Sequence, residues 1–192
     1  MAPSKLTEVD FETFSNVVDG QSRNSKEKYQ GVNPATKEKL WDVPVASLDD
    51  VDDAVAAANK AYKEWSRTTW EYRTERIARF QEAFESYAKE MTNLLIKETG
   101  KPRMFAAVEV GSASAFFDWH VNKLPEPKLP GYEDEKLSIE NKYVPLGVVA
   151  AICPWNFPVV LSLAKVLPAV QMGNTVIVKP SPFTPYVLRH YS

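Results

Sequence analysis

The sequence predicts an α/β fold in which short hairpins and helices lead into a small parallel sheet. Two continuous apolar runs, residues 147–153 and 175–179, are typical of strands that are buried on both faces of a parallel sheet. Between them, residues 159–172 form an apolar segment of helical length. This strand–helix–strand order predicts a right-handed βαβ unit, and the hairpin and helix signals lie upstream of it.

The composition is ordinary for a globular protein and excludes several classes of function. Of the 192 residues, 44% are hydrophobic and 25% are charged, and the net charge is −2. Such a balance offers no basic surface for nucleic acid or for an acidic membrane. The single cysteine, Cys153, excludes a disulfide framework and a cysteine-rich zinc site. The chain has no run of about 18 apolar residues and no signal-peptide pattern at its amino terminus, so we expect a cytoplasmic protein. We expect no metal site, because the sequence has one cysteine and its two histidines lack partner residues.

Residues 1–46 are predicted to form two small antiparallel hairpins. The Asp-Gly pair at 19–20 is a strong hairpin-turn signal, and Asn33-Pro34-Ala35-Thr36 is a second turn. Residues 40–43 alternate as a strand does after that turn.

Three helical patterns follow the hairpins. The first begins near Ser47, with Asp50 completing a capping box. The second runs through apolar residues spaced by three or four, from Ile77 to Leu94, and Gly100 is expected to end it in a left-handed conformation. The third covers 103–121, and its large apolar residues are predicted to lie in the core: Met104, Val108, Ala115, Phe116 and Trp119. His120 and His190 are interpreted as helix-face residues.

A proline-containing connector is expected at 122–136, and the alternation that follows predicts an exposed strand over 137–146. We therefore divide the chain into residues 1–136, 137–146 and 147–192.

Two short proline-rich segments lie at the carboxyl ends of the two predicted parallel strands, at 154–158 and 179–185. Ligands of open α/β sheets bind outside the carboxyl ends of the strands, so both segments lie where a cofactor is expected. Simpler interpretations also exist: Asn156 could cap the following helix, Lys179 could be an ordinary strand-end lysine, and Ile152 could only pack in the core.

The motifs resemble, in order and spacing, those of the NAD(P)-dependent aldehyde dehydrogenase family. The resemblance begins near residue 30 and continues to the end of the chain. It is carried by Asn33-Pro34-Ala35-Thr36, the Asp-Val-Asp-x-Ala run at 50–54, Glu98-Thr99-Gly100-Lys101-Pro102, Glu109, Gly147-Val148, Pro154-Trp155-Asn156-Phe157-Pro158, Gly173-Asn174-Thr175 and Lys179-Pro180-Ser181. It implies an incomplete Rossmann-like cofactor-binding domain and the oxidation of an aldehyde to a carboxylic acid.

The resemblance also implies roles for individual residues. Asn156 matches the asparagine whose amide stabilises the oxyanion that forms when a cysteine thiolate attacks the aldehyde. Lys179 matches the lysine that binds the ribose hydroxyls of the cofactor, and the remaining cofactor-binding positions are Ile152, Pro154, Trp155 and Ser181. The cofactor is NAD or NADP, with NAD slightly favoured and weak binding expected. Pro182 stands where many NAD-using members have a ribose-binding glutamate, which leaves this choice open.

The 192 residues do not match the segments that carry the family's reactive cysteine and glutamate base, and Cys153 does not correspond to that cysteine. The chain is therefore expected to be inactive alone, and an aldehyde is its partner only in a complete enzyme. Three hypotheses remain: a truncated enzyme, a noncatalytic protein that joins aldehyde dehydrogenase homo- or hetero-oligomers through residues 137–146, and a subunit complemented by a chain with the catalytic half.

Overall fold

The computed structural model describes residues 14–189, so the expectations for residues 1–13 and for His190 lie outside the described residues. The elements follow one another as hairpins, helices, a short hairpin and a βαβ unit. Their bounds are β1 Asn16–Val18, β2 Gln21–Arg23, β3 Lys28–Val32, β4 Lys39–Pro44, α1 Leu48–Trp65, α2 Trp70–Ser86, α3 Ala88–Thr99, α4 Arg103–Asp118, a π-helical turn Trp119–Lys123, β5 Tyr132–Glu133, β6 Ser138–Ile139, β7 Val148–Ile152, α5 Pro158–Gln171, β8 Thr175–Lys179 and α6 Tyr186–Arg189.

Both predicted amino-terminal hairpins are confirmed within the described residues. Strands β1 and β2 pair antiparallel around Asp19 and Gly20, which both have positive φ. Strands β3 and β4 also pair antiparallel. The Asn33 side chain shapes their turn, because its Oδ1 accepts the N–H groups of Ala35 and Thr36.

The first two helical predictions are confirmed with one correction. Ser47 caps α1 and forms the expected capping box with Asp50, and Gly100 ends α3 with a φ of 70°. The single helix predicted across Ile77–Leu94 is instead two, because the chain leaves helical geometry at Tyr87. Apolar periodicity continued across this break because α2 and α3 both pack on the same core.

The core prediction for residues 103–121 is wrong for four of its five residues. Met104, Val108 and Ala115 on α4 are exposed, as is Trp119 in the π-helical turn, whereas Phe116 is half-buried and packs against the core. The buried face of the helix instead consists of smaller residues together with one acid and one aromatic ring: Ala106, Glu109, Val110, Ala113 and Phe117. Small side chains let α4 approach α5 closely, so the face with the larger apolar residues is turned outward.

His120 is also not a surface residue of the helix. It is buried in the π-helical turn, and its Nδ1 lies 2.5 Å from Oε1 of Gln171 in α5. The Gln171 amide donates to the carbonyl of His120 and to the hydroxyl of Thr74, so the pair links three helical segments.

Residues 137–146 form much less strand than predicted. Only Ser138 and Ile139 are in a strand, paired with Tyr132 and Glu133 in a hairpin that Asp134 closes by accepting two backbone N–H groups. A strand needs a partner to satisfy its backbone groups, and the described chain provides one for two residues only.

The predicted βαβ unit is confirmed. Strands β7 and β8 pair parallel over five residues each, from Val148 opposite Thr175 to Ile152 opposite Lys179. Helix α5 packs on this pair and on α4, where Val159, Leu163 and Leu167 are fully buried. In the described part of the chain, no helix is long and apolar enough to cross a membrane.

Candidate functional site at the carboxyl end of the parallel strands

The two motif segments lie side by side at the carboxyl edge of the β7–β8 pair. Ile152 and Lys179 are register partners, and the N–H of Cys153 donates to the carbonyl of Lys179 at 3.0 Å. The loops that follow also touch, because the ring centroids of Trp155 and Phe183 lie 6.5 Å apart in an edge-to-face arrangement. The expectation that both segments share one sheet edge is therefore confirmed.

Asn156 and Lys179 are both exposed at this edge. The structure gives neither side chain a hydrogen bond to any residue between 14 and 189. An amide offers two N–H donors and an ammonium offers three, so the edge presents donors that a ligand can use.

Asn156 does not cap α5, which corrects the simpler interpretation of this residue. Phe157 occupies the N-cap position, and its side chain makes no capping hydrogen bond to the helix. The carboxylate of Glu109, 50 positions earlier in the chain, accepts the N–H of Val159 at 2.8 Å instead. Because Glu109 satisfies this amide, Asn156 is left without a capping role.

Glu109 has a second partner, Lys101, on the loop between α3 and α4. The ammonium of Lys101 forms an ion pair with the Glu109 carboxylate and also lies 4.2 Å from the ring centroid of Phe157. The sequence interpretation did not identify this pair. A signal was present, because Glu109 is an acid on the small-residue face of α4, and a charge on a buried face requires a partner.

Apolar side chains surround the exposed donors. Ile152 is 67% exposed and Trp155 57% exposed, and Phe157 and Phe183 are exposed as well. The core-packing interpretation of Ile152 is wrong, since the side chain stands at the open end of the strand. Neighbouring exposed apolar groups of this kind indicate a surface that a ligand or another polypeptide covers.

The two remaining residues predicted to bind the cofactor are less exposed. Pro154 is half-buried, and Ser181 is only 5% exposed. The hydroxyl of Ser181 accepts the N–H of Phe183, which orders the loop after β8. Its role towards a cofactor stays a prediction, as do the roles of the other predicted site residues.

Cys153 has the properties of a structural residue. It is buried at the end of β7, and its thiol donates to the carbonyl of Ala151. Burial raises the pKa of the Cys153 thiol, and the ammonium groups of Lys165 and Lys179 offset this only in part. A thiol with a raised pKa is a poor nucleophile, because the thiolate is the reactive form.

A cavity of about 560 Å³ lies beside the edge, between the second hairpin and the loop after β8. Its lining includes Tyr29, Trp41, Trp155 and Phe183, but neither Asn156 nor Lys179. Glu98 also lines it, and the two carboxylate oxygens of Glu98 accept the N–H groups of Tyr186 and Val187. Burial raises the pKa of Glu98 to about 8 despite these two donors. Among residues 14–189 there is no group of three or more acidic, histidine or cysteine side chains that could hold a metal ion.

Comparison with known proteins decides the family. The profile of the aldehyde dehydrogenase family matches residues 21–191, which is most of the chain. The chain belongs to the aldehyde dehydrogenase family. The resemblance inferred from the motifs is thereby confirmed.

Relatives of known sequence show how much of such an enzyme the chain represents. The putative aldehyde dehydrogenase FUS7 of Gibberella fujikuroi is 44% identical over 177 residues, which cover 92% of this chain and 38% of that protein. The succinate semialdehyde dehydrogenase [NAD(P)+] Sad of Escherichia coli is 33% identical over 156 residues, covering 79% of this chain and 33% of that protein. The chain thus spans between 33% and 38% of the length of these relatives.

Solved structures show the same relation. The fold matches a crystal structure described as an E. coli NADP dependent enzyme with a TM-score of 0.83 and 28% identity, covering 97% of this chain and 40% of that one. The α/β fold predicted from the sequence is confirmed. This E. coli enzyme is described as NADP dependent, and the name of Sad gives NAD(P)+, which agrees with the cofactor class expected from the motifs.

Proposed function

We propose that residues 1–192 provide part of the NAD(P)-binding domain of an aldehyde dehydrogenase and that they supply Asn156 and Lys179 to the oxidation of an aldehyde to a carboxylic acid. The observation that carries this proposal is the placement of the two loops at one edge, with both donors exposed and free of partners among the described residues. Family membership supports the class of reaction.

Asn156 is assigned the role of hydrogen-bond donor to the oxyanion. When a thiolate adds to an aldehyde, the carbonyl oxygen gains negative charge, and an amide N–H aimed at that oxygen stabilises it. One such donor contributes roughly 2.7–4 kcal/mol to the transition state. Asparagine suits this task because its amide donates without titrating, and Pro154 and Pro158 restrict the backbone of its loop.

Lys179 is assigned to bind the ribose hydroxyls of the cofactor. The other residues assigned to contact the cofactor are Ile152, Pro154, Trp155 and Ser181. The exposed ammonium and the neighbouring apolar side chains fit a ligand with a polar sugar and a flat ring. NAD(P)+ supplies the hydride acceptor when bound. Pro182 has no side-chain acceptor for a ribose hydroxyl, so we propose either NAD or NADP, bound weakly by these residues alone.

The nucleophile and the base are supplied by polypeptide outside residues 1–192. Cys153 cannot replace them, because it is buried and its pKa is raised. The proposal is tested with the purified chain, NAD or NADP and a panel of aliphatic and aromatic aldehydes, followed by the absorbance of the reduced nicotinamide. We expect no turnover above the protein-free control. Turnover that Cys153→Ser abolishes would show that Cys153 is a nucleophile and would refute the assignment.

A second candidate function is noncatalytic association with aldehyde dehydrogenase chains. It is favoured by the outward face of α4, on which Met104, Phe105 and Val108 are exposed, and by Trp119, which is exposed in the π-helical turn that follows. Two mixtures separate the two functions: the chain with a full-length family member, and the chain with a catalytic-half chain. A change in the mass of the full-length oligomer without gain of turnover supports association, whereas restored turnover of the catalytic-half chain supports the first proposal.

A further inference from the structure

We propose that Glu109, together with Lys101, is a positioning residue that fixes the loop carrying Asn156. The inference rests on the oxyanion role proposed above for Asn156. It adds two residues, from a different part of the chain, that act on the reaction only through the geometry of this loop.

The loop is held at both ends by hydrogen bonds that backbone N–H groups donate. At its start, the N–H of Cys153 donates to the carbonyl of Lys179 at 3.0 Å. At its end, the N–H of Val159 donates to Oε1 of Glu109 at 2.8 Å. Asn156 lies three residues from each anchor, so both anchors limit where its side chain can be placed.

Glu109 is the anchor that comes from outside the βαβ unit. Its side chain is fully buried on α4, and its second carboxylate oxygen is paired with Lys101, whose side chain is 15% exposed. Lys101 adds its own contact with the loop, because its ammonium lies 4.2 Å from the centre of the Phe157 ring. Both members of this ion pair therefore contact residues that follow Asn156: the carboxylate binds the N–H of Val159, and the ammonium lies over the ring of Phe157.

The charge of Glu109 makes this anchor stronger than an ordinary cap. A carboxylate–N–H bond is charge-assisted, and a buried carboxylate that lost Lys101 or Val159 would be left with unsatisfied charge. The arrangement therefore favours one loop geometry. Preorganised donors of this kind are what stabilisation of an oxyanion requires.

A purely structural role for Glu109 makes different predictions. It would lower the stability of the whole chain and would affect turnover independently of Asn156. A positioning role instead affects the loop selectively, is rescued by a residue that keeps the acceptor, and disappears when Asn156 is absent.

The first test measures amide hydrogen exchange by NMR in the 192-residue chain. Glu109→Ala removes the acceptor, so we expect the Val159 amide to exchange at least about tenfold faster while the amides of α1 change little. Glu109→Gln keeps a carbonyl oxygen and should retain most of the protection, with the Asn156 side-chain amide resonances close to their original shifts. Equal exchange at Val159 in the wild type and Glu109→Ala would overturn the proposal. Equal acceleration at Val159 and throughout α1 would also overturn it, because it indicates global destabilisation.

The second test is a double-mutant cycle on turnover, with the chain complemented by the remaining part of a family member. We expect Glu109→Ala to lower kcat by about 10- to 100-fold with little change in the KM for NAD or NADP, and to cause no further loss in an Asn156→Ala background. Fully additive losses would overturn the positioning role. Loss of Val159 protection in Glu109→Ala, combined with an Asn156→Ala variant that retains full turnover, would instead refute the proposed function and leave the anchoring of the loop intact.

Discussion

At the scale of single residues, Glu98 shows how burial sets the protonation of a side chain. Its carboxyl is 5% exposed, and burial raises its pKa from the ordinary 4.5 to about 8, although the N–H groups of Tyr186 and Val187 favour the ionised form. The folded chain therefore holds a proton that the unfolded chain releases between these two values. The free energy of unfolding has its full contribution from Glu98 below pH 4.5 and loses it as the pH rises towards about 8.

We predict that urea denaturation will give a higher free energy of unfolding at about pH 5 than at about pH 9, by at most about 5 kcal/mol, since one pKa unit corresponds to about 1.4 kcal/mol. Glu98→Gln provides the control, because it cannot titrate and should flatten this pH dependence. An unchanged pH profile in Glu98→Gln would show that another group is responsible.

Prediction from the sequence succeeded for residues that belong to a motif. It failed for residues whose contacts arise only when distant parts of the chain pack together. Asn156 follows β7, Lys179 ends β8, and both belong to motifs, so their placement at one edge could be predicted. The contact between Glu109 and Val159 joins residues 50 positions apart through the packing of two helices, and no local pattern encodes such a distance.

At the scale of elements, Gly100 determines how α3 ends. Its φ is 70°, and a Cβ at this position would lie 3.0 Å from Cγ of Pro34 in the turn between β3 and β4. We predict that Gly100→Ala lowers the free energy of unfolding by about 1–2 kcal/mol, because an L-residue is strained in the left-handed region.

The matched control for this prediction is Gly111→Ala. Gly111 lies within α4, and a Cβ there would meet nothing within 4 Å. This substitution should raise the free energy of unfolding by about 0.5–1 kcal/mol, since alanine favours helix more than glycine does. Equal destabilisation by the two substitutions, measured by urea or thermal denaturation, would contradict the role of the left-handed conformation.

Prediction of helices and strands was limited because the sequence of an element does not show which other elements pack or pair with it. The parallel pairing of β7 and β8 could be predicted from the two apolar runs and the helix between them. The face of α4 was misassigned because large apolar residues were taken as core, whereas close helix packing selected Ala106 and Ala113. The segment 137–146 alternates as a strand does, but alternation cannot say whether a partner strand is present.

At the scale of the whole molecule, the chain exposes surface that folded domains usually cover. The β7–β8 pair has only two strands, and both have outer edges that no other strand pairs with in the described residues. Parallel strands are normally buried within larger sheets, and unpaired edges promote association. The exposed apolar face of α4 adds to this tendency.

We predict that light scattering will show an average mass that rises above the monomer mass as concentration increases. The double variant Met104→Lys and Val108→Lys should reduce this rise, because it places two charges on the apolar face of α4. Ala56→Lys, on the exposed part of α1, controls for added charge. A monodisperse monomer at all concentrations would contradict this prediction.

The most direct test of the account is complementation of turnover. The 192-residue chain is mixed with a separately produced chain that carries the remaining part of an aldehyde dehydrogenase of the same family, and reduction of NAD or NADP is followed with an aldehyde present. We predict no turnover from either chain alone, turnover from the mixture, and a loss of about 100- to 1000-fold in kcat with Asn156→Ala, the effect of removing one oxyanion donor. Turnover by the mixture that Asn156→Ala leaves unchanged would contradict the central claim.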